Sequence, residues 1–168
     1  MPNFENNWRR KQEVAGRPHA DKIYSDIFTA TANRFENPDN YILDKEFAID
    51  VILTMPNGMI MTGQEKFLSH KYSNFETVTV EYMQNPKTQE RGDWFKLGVQ
   101  FYFVAYYNKG HSAFGKWMLL DWPAVVLATN NKAIHWQQRN NKYDGARASM
   151  AFVKMRDIPS NCVIASSF

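Results

Sequence analysis

The dipeptide Asn57-Gly58 restricts how this chain can fold, because Asn-Gly strongly favours a tight turn between two strands. It follows Pro56 and separates two runs rich in β-branched and large apolar residues, 46–55 and 59–68. Such runs on both sides of a turn predict a β-hairpin. We therefore predict one hairpin from Glu46 to Leu68.

The register of this hairpin brings three polar side chains together. If residues 56–58 form the turn, Asp50 lies opposite Gln64. Successive side chains of a strand alternate between its two faces, so Lys66 lies on the same face as Gln64. A slip of one residue would place Glu65 opposite Asp50 instead.

These residue types suit metal-dependent cleavage of a phosphodiester bond. Aspartate offers the hard carboxylate oxygens that Mg²⁺ prefers, and glutamine adds a neutral carbonyl oxygen. Lysine can orient the attacking water or stabilise negative charge that develops on a phosphate. Asp50, Gln64 and Lys66 are therefore candidate catalytic residues. Glu81, in a third predicted strand over 76–83, is a candidate second carboxylate.

Ordinary cross-strand pairs on a solvated sheet face are the other interpretation of the same three residues. Such pairs are common and contribute about 0.2–1 kcal/mol each. Aspartate is disfavoured in strands, however, and Asp50 lies within the apolar run FAIDVILTM. A partly buried carboxylate needs a partner or a metal, which favours the site.

The remaining patterns predict a single α/β domain, which the length of 168 residues suits. A helix opens at Pro18 and extends to Thr31, since proline suits a first helical turn. A second helix begins at Asp93, although the aromatic content of 94–105 leaves a strand open. The later segments are a buried strand over 116–120, a helix over 121–129 opened by Asp121, and strands over 133–137 and 146–155.

The order of Asp50, a β-turn and Gln64-Glu65-Lys66 resembles the PD-(D/E)XK nuclease superfamily. There, an aspartate on one strand is followed by an acid-x-lysine triplet on the next, and some members carry glutamine first. The chain is thus similar to a Q-x-K variant of the phage or mobile-element type. The resemblance implies a restriction-endonuclease-like core. That core is a mixed central β-sheet flanked by helices in the order αβββαβ, here followed by a C-terminal β extension.

The resemblance also implies an activity, namely metal-dependent hydrolysis of phosphodiester bonds in DNA. The implied cofactor is Mg²⁺, for which Mn²⁺ may substitute, with Asp50, Glu65 and Glu81 as metal ligands. Small members often act as homodimers because two strands need two sites, so a homodimer is a further expectation.

Two departures from the family pattern keep an alternative open. Ile49 stands where many members have proline, and Gln64 carries no charge. The acid that many members carry on a helix would be Asp21 or Asp26, and the sequence does not choose between them. The alternative is a catalytically inactive nuclease-fold module that binds nucleic acid or a protein partner. A structural phage protein without any nucleic acid is a third possibility.

Positive charge concentrates near both ends of the chain, whose net charge is +3. Residues 1–17 are predicted to form a basic arm and 18–168 a single nuclease-like domain. Solvated surface charge is the simplest interpretation, but basic clusters also position nucleic acid through its phosphates. The candidate nucleic-acid-binding residues are Arg9, Arg10, Lys11, Arg17, Arg139, Lys142 and Arg147.

Several classes of protein are disfavoured by what the sequence lacks. The one cysteine, Cys162, excludes an internal disulfide and a multi-thiolate zinc site. The chain has no glycine-rich phosphate-binding motif, so no nucleotide cofactor is expected. Neither an apolar run near the length of a membrane span nor the apolar core of a signal peptide is present. We therefore expect a cytoplasmic protein with no membrane partner.

Overall fold

The computed structural model describes residues 4–34, 41–140 and 148–168. Within these ranges the helices are α1 (Phe4–Phe28), α2 (Tyr41–Phe47) and α3 (Trp122–Asn130). The strands are β1 (Thr31–Asn33), β2 (Val51–Thr54), β3 (Ile60–Leu68), β4 (Thr77–Asn85), β5 (Glu90–Arg91), β6 (Phe101–Tyr107), β7 (Phe114–Asp121), β8 (Gln137–Asn140), β9 (Ser149–Lys154) and β10 (Val163–Ser166).

The described strands form two sheets. The central sheet has the order β1-β2-β3-β6-β7-β10, and the second sheet has the order β5-β4-β9-β8. In the central sheet β3 and β6 run parallel, whereas the other neighbours run antiparallel. The predicted α/β class with a mixed central sheet is therefore confirmed.

Helix α1 covers one face of the central sheet. Its residues Ala20 and Tyr24 are fully buried and pack with Leu53 of β2 and with Phe101 and Phe103 of β6. Burial of such large side chains contributes on the order of 1.5–3 kcal/mol each. This core fixes α1 across β2, β3 and β6.

The second sheet and α3 cover the opposite face. Their side chains Val80, Val153 and Val125 share a core with Tyr102 and Val104 of β6. Strand β6 is therefore buried on both faces, and every one of its residues is inaccessible. A strand covered on both faces loses the alternation of apolar and polar residues that marks a half-exposed strand.

Two tyrosines of β6 join the sheets by hydrogen bonds as well as by packing. Tyr102 donates its hydroxyl to the backbone carbonyl of Thr79, and Tyr106 donates to that of Thr77, both at 2.7 Å. Thr77 and Thr79 lie on β4, and their carbonyls would otherwise be buried polar groups in need of partners. The tyrosines thus fix where β4 lies against the central sheet.

Several sequence predictions are confirmed. Met55 donates its backbone N–H to the carbonyl of Met59 at 2.8 Å, so residues 56–58 form the predicted turn. Gly58 has φ +82°, a conformation that favours glycine. The strands predicted over 76–83, 116–120 and 146–155 correspond to β4, β7 and β9. Asp121 caps α3 by accepting the backbone N–H of Ala124 at 2.9 Å.

Three predicted boundaries were wrong. The hairpin strand expected from Glu46 begins only at Val51, because 41–47 form α2. The helix expected to open at Pro18 begins at Phe4, so the border drawn between a 1–17 arm and the domain falls inside α1. The strand expected over 133–137 begins at Gln137.

The helix predicted from Asp93 was also wrong, and the strand alternative is what forms. Only 93–95 make a short 3₁₀ turn, and β6 follows. The order αβββαβ is therefore not observed, and β4 belongs to the second sheet rather than continuing the hairpin. The apolar residues of 94–105 fit the helical period of about 3.6 residues as well as an apolar strand. Burial of β6 on both faces of the sheet decided for the strand.

Candidate functional site

The candidate site lies at the fork where β2 and β3 separate. Val51 pairs with Gly63, and the backbone N–H of Asp50 still donates to the Gly63 carbonyl at 2.9 Å. The paired register ends at Val51 and Gly63, and because the Asp50 N–H also donates to the Gly63 carbonyl, the ladder does not continue to the predicted pairing of Asp50 with Gln64. Residues of β3 beyond Gly63 pair only with β6, so their other edge opens toward Asp50.

The face on which these side chains lie follows from alternation along β3. Glu65 contacts Tyr24 of α1, so its side chain is on the α1 face. Gln64 and Lys66, its immediate neighbours, therefore point to the face covered by the second sheet. Asp50 precedes β2, and its Oδ2 meets the open edge of β3 at the backbone N–H of Glu65. The fold thus brings Gln64 and Lys66 to one face, with the Asp50 carboxylate at the adjacent edge of β3.

The Asp50 carboxylate accepts a backbone hydrogen bond, and none of the described ion pairs includes it. Its Oδ2 accepts the backbone N–H of Glu65 at 2.9 Å. Burial raises the pKa of Asp50 well above its usual range, an effect that this hydrogen bond opposes and the negative charges of Glu65 and Asp44 reinforce. Among the described residues no lysine or arginine forms an ion pair with it. A charged Asp50 is therefore uncompensated.

Gln64 and Lys66 also keep unused polar groups. Gln64 is only 9% exposed, and its buried Oε1 has no hydrogen-bond partner in the described part of the chain. Buried polar atoms are nearly always satisfied, so this one needs a ligand or a water. The Lys66 ammonium, half-buried, forms no ion pair with any residue that the structure describes.

Glu65 was predicted as a metal ligand beside Asp50, but its carboxylate is engaged on the opposite face. Arg34 binds it through two hydrogen bonds, Nε to Oε2 at 2.7 Å and Nη2 to Oε1 at 2.8 Å. Tyr24 donates its hydroxyl to Oε1 at 2.8 Å. The register therefore does not place the Glu65 side chain with Asp50. Its backbone carbonyl, which points to the same side as its N–H, does face the fork.

Glu81 was predicted as a further carboxylate of the site, and the structure does not bring it to Asp50. It lies on β4, in the second sheet. Val78 and Val80 face the core between the sheets, so alternation directs Glu81 to the outer face of the second sheet. A sequence pattern alone could not reveal that β4 leaves the sheet of the hairpin.

The predicted basic residues do not form one surface. Arg10 and Lys11 are exposed on α1, where Arg17 approaches Glu13 at 3.6 Å. Arg139 is exposed on β8, with its guanidinium 5.7 Å from the centre of the Phe152 ring. Helix α1 and β8 lie on opposite sides of the central sheet. The side chain of Arg9 and both Lys142 and Arg147 lie outside the described residues.

Arg34 and Tyr24 belong to no predicted motif, yet the fold places both beside the candidate site, at the Glu65 carboxylate. The side chain of Arg34 is 9% exposed, and its Nη1 lies 2.7 Å from Oδ1 of Asp21. Burial alone would lower the pKa of Arg34, but its hydrogen bonds to Glu65 raise it above the usual value. The sequence signal for such a partner was Glu65 itself, because an acidic residue on the buried face of a strand requires a cationic partner.

A divalent cation would find few charged ligands here. No group of three histidine, cysteine, aspartate or glutamate side chains suited to a metal occurs in the described ranges. The oxygens that fit one are the free Asp50 carboxylate oxygen, the unpartnered Gln64 Oε1 and the Glu65 carbonyl. A single carboxylate with neutral oxygens and waters is a set that Mg²⁺ accepts.

Comparisons of the chain with protein-family models, with curated proteins and with solved structures find no match. None of the described helices has both the length and the apolar character needed to cross a bilayer.

Proposed function

We propose that this protein is a metal-dependent phosphodiesterase that acts on DNA, with Asp50, Gln64 and Lys66 at its centre. The observation that carries the proposal is a buried Gln64 oxygen without a hydrogen bond, next in the chain to the Glu65 N–H that holds the Asp50 carboxylate. The Asp50 carboxylate has no cationic partner and Gln64 Oε1 has no partner among the described residues. Leaving both unsatisfied costs roughly 1–3 kcal/mol each, and a divalent cation would satisfy them together.

Each of the three residues has a separate role in this proposal. Asp50 supplies the charge that holds Mg²⁺, and Gln64 adds a neutral oxygen. When bound, Mg²⁺ would polarise the phosphate and lower the pKa of a coordinated water. Lys66 stabilises the negative charge that develops on the phosphate, and its ammonium forms no ion pair within the described residues that would compete.

The order of elements around the fork matches the PD-(D/E)XK core only in part. Helix α1 precedes the antiparallel strands β2 and β3, and β6 then joins β3. Strand β1 and helix α2 stand between α1 and β2, and residues 69–100 contain no α-helix, so the chain departs from the order αβββαβ on both sides of the hairpin. A homodimer, which would supply a second site for the second strand of DNA, belongs to the same proposal.

Cleavage of supercoiled plasmid tests the activity. We expect nicking by the wild-type protein with Mg²⁺ or Mn²⁺ and none with EDTA. Lys66→Ala should lower the cleavage rate by roughly 10²-fold or more, the usual effect of removing one group that stabilises transition-state charge. Lys109→Ala is the matched control, because Lys109 is an exposed lysine of the β6–β7 turn. Full activity of Lys66→Ala would overturn the role of this lysine.

A non-catalytic module that binds nucleic acid is the second candidate, and one observation favours it. The fork offers a single carboxylate, since Glu65 is paired with Arg34 and Glu81 lies on the second sheet. A binder would retard DNA in a mobility-shift assay without cleaving it in Mn²⁺. Its affinity should fall steeply with salt, as phosphate contacts require. Binding without cleavage would decide for this candidate over the enzyme.

A further inference from the structure

Glu65 is the residue whose contacts connect the two faces of the central sheet at the fork. Its backbone N–H holds Asp50 Oδ2 at 2.9 Å, while its side chain is bound on the other face by Arg34 and Tyr24. The side chain is 4% exposed, so the ion pair with Arg34 is shielded from solvent. One residue thus links the candidate site to α1 and to the end of β1.

The Arg34 guanidinium is suited to immobilise this residue. Two parallel hydrogen bonds to both carboxylate oxygens fix the plane as well as the position of the Glu65 carboxylate. A third contact, from Nη1 to Asp21 at 2.7 Å, ties the same guanidinium to α1. Because β2 stops pairing with β3 at Gly63, no strand of the described residues pairs with residue 65 on that edge.

We propose that Arg34 and Glu65 form a positioning pair. By fixing residue 65 of β3, the pair holds its backbone N–H where it orients the Asp50 carboxylate. The catalytic consequence rests on the proposed function, whereas the mechanical link between Arg34 and the Glu65 amide does not. In this proposal Arg34 and the Glu65 carboxylate are positioning groups and supply no metal ligand, because the carboxylate is engaged with Arg34 and Tyr24.

Hydrogen exchange of single backbone amides tests the mechanical link. Arg34→Lys keeps the charge but cannot form the two-pronged contact. We expect the Glu65 amide to exchange at least tenfold faster in this variant, while the Val104 amide in the middle of the sheet changes less than twofold. Equal acceleration at Glu65 and Val104 would indicate general destabilisation and would overturn the proposal.

A second readout measures the consequence at the fork. With Mn²⁺ as the probe, we expect Arg34→Lys to raise the Kd for Mn²⁺ about tenfold. It should also lower kcat for plasmid cleavage without raising KM for DNA. Glu65→Gln keeps the size of the side chain and provides a test if Arg34→Lys does not fold. Lys22→Met removes the exposed pair with Asp26, 2.8 Å apart on α1, and should change neither quantity.

The two levels of the proposal fail separately. If wild-type protein neither binds Mn²⁺ nor cleaves DNA, the proposed function is overturned, and the exchange of the Glu65 amide still decides whether Arg34 holds residue 65. If wild-type protein binds Mn²⁺ and cleaves DNA, but neither Arg34→Lys nor Glu65→Gln changes the Kd by more than twofold, the positioning role is overturned and the proposed function stands.

Discussion

At the scale of single residues, the acidic side chains of Glu65 on β3 and of Asp50 just before β2 are held in opposite ways. Glu65 is neutralised by Arg34 in a contact shielded from water. Asp50 accepts a backbone N–H and has no ion pair with a described residue, and its pKa is raised by burial and by nearby negative charge. Protein interiors rarely keep an uncompensated acid without a function for it. The contrast is what distinguishes the fork from an ordinary sheet surface.

This difference predicts how stability depends on pH in buffer that contains EDTA. The folded pKa of Asp50 is raised above the unfolded value of about 4, so its contribution to the free energy of unfolding falls as pH rises through the folded pKa. Asp50→Asn keeps an oxygen that can accept the Glu65 N–H and removes this dependence. We expect the variant to be more stable than wild type at pH 7, by on the order of 1–3 kcal/mol.

Urea unfolding of both proteins between pH 3 and pH 8 provides the measurement. The difference between them should disappear below about pH 4, where Asp50 is protonated in both states. Asp50→Ala is the control, since it removes the acceptor of the Glu65 N–H as well as the charge. A wild-type protein more stable than Asp50→Asn at pH 7 without metal would contradict the reasoning.

At the scale of secondary-structure elements, the fork depends on how closely β3 and β6 approach. Gly63 pairs with Phe101 across the parallel strands, and the Phe101 ring covers it. A Cβ at this glycine would lie 2.1 Å from the ring, which is itself fully buried against Tyr24. The glycine beside the candidate site therefore makes room for an aromatic ring of the core.

The close approach predicts that Gly63→Ala destabilises the protein. Overpacking of a filled core costs typically 1–3 kcal/mol, because the Phe101 ring has no free space to enter. Gly98→Ala is the matched control, since a Cβ there meets only the Lys96 carbonyl at 3.8 Å. Thermal unfolding measures the difference, and we expect a lower Tm for Gly63→Ala than for Gly98→Ala. Equal Tm values would contradict the prediction, because they would mean that the Phe101 ring shifts without loss of stability.

At the scale of the whole molecule, the two sheets share one core around β6. The fork lies within the central sheet, which has α1 on one face and the second sheet on the other. A cation that binds only the folded protein would stabilise all of it, by about 2.7 kcal/mol at a hundredfold excess over Kd. For a chain of 168 residues this corresponds to a rise in Tm of roughly 5–10 °C. We expect this rise with Mn²⁺ for the wild-type protein and none for Asp50→Asn.

Thermal scans in EDTA, Mg²⁺ and Mn²⁺ measure the effect. Lys109→Ala, which alters an exposed turn, should respond to Mn²⁺ as the wild type does. An equal rise in Tm for wild type and Asp50→Asn would mean that the cation binds elsewhere, and no rise in either would contradict a metal site at the fork.

Local patterns determined the hairpin and α3, because each depends on residues close together in the chain. The turn at 56–58 was enough to set the register from Thr54 with Ile60 to Val51 with Gly63, and Asp121 was enough to begin α3. Tertiary contacts decided what lies around them. Arg34 reaches Glu65 across 31 positions, and Tyr106 binds Thr77 across 29. Contacts at such separations leave no periodic trace in the sequence, because they arise only when distant elements pack together.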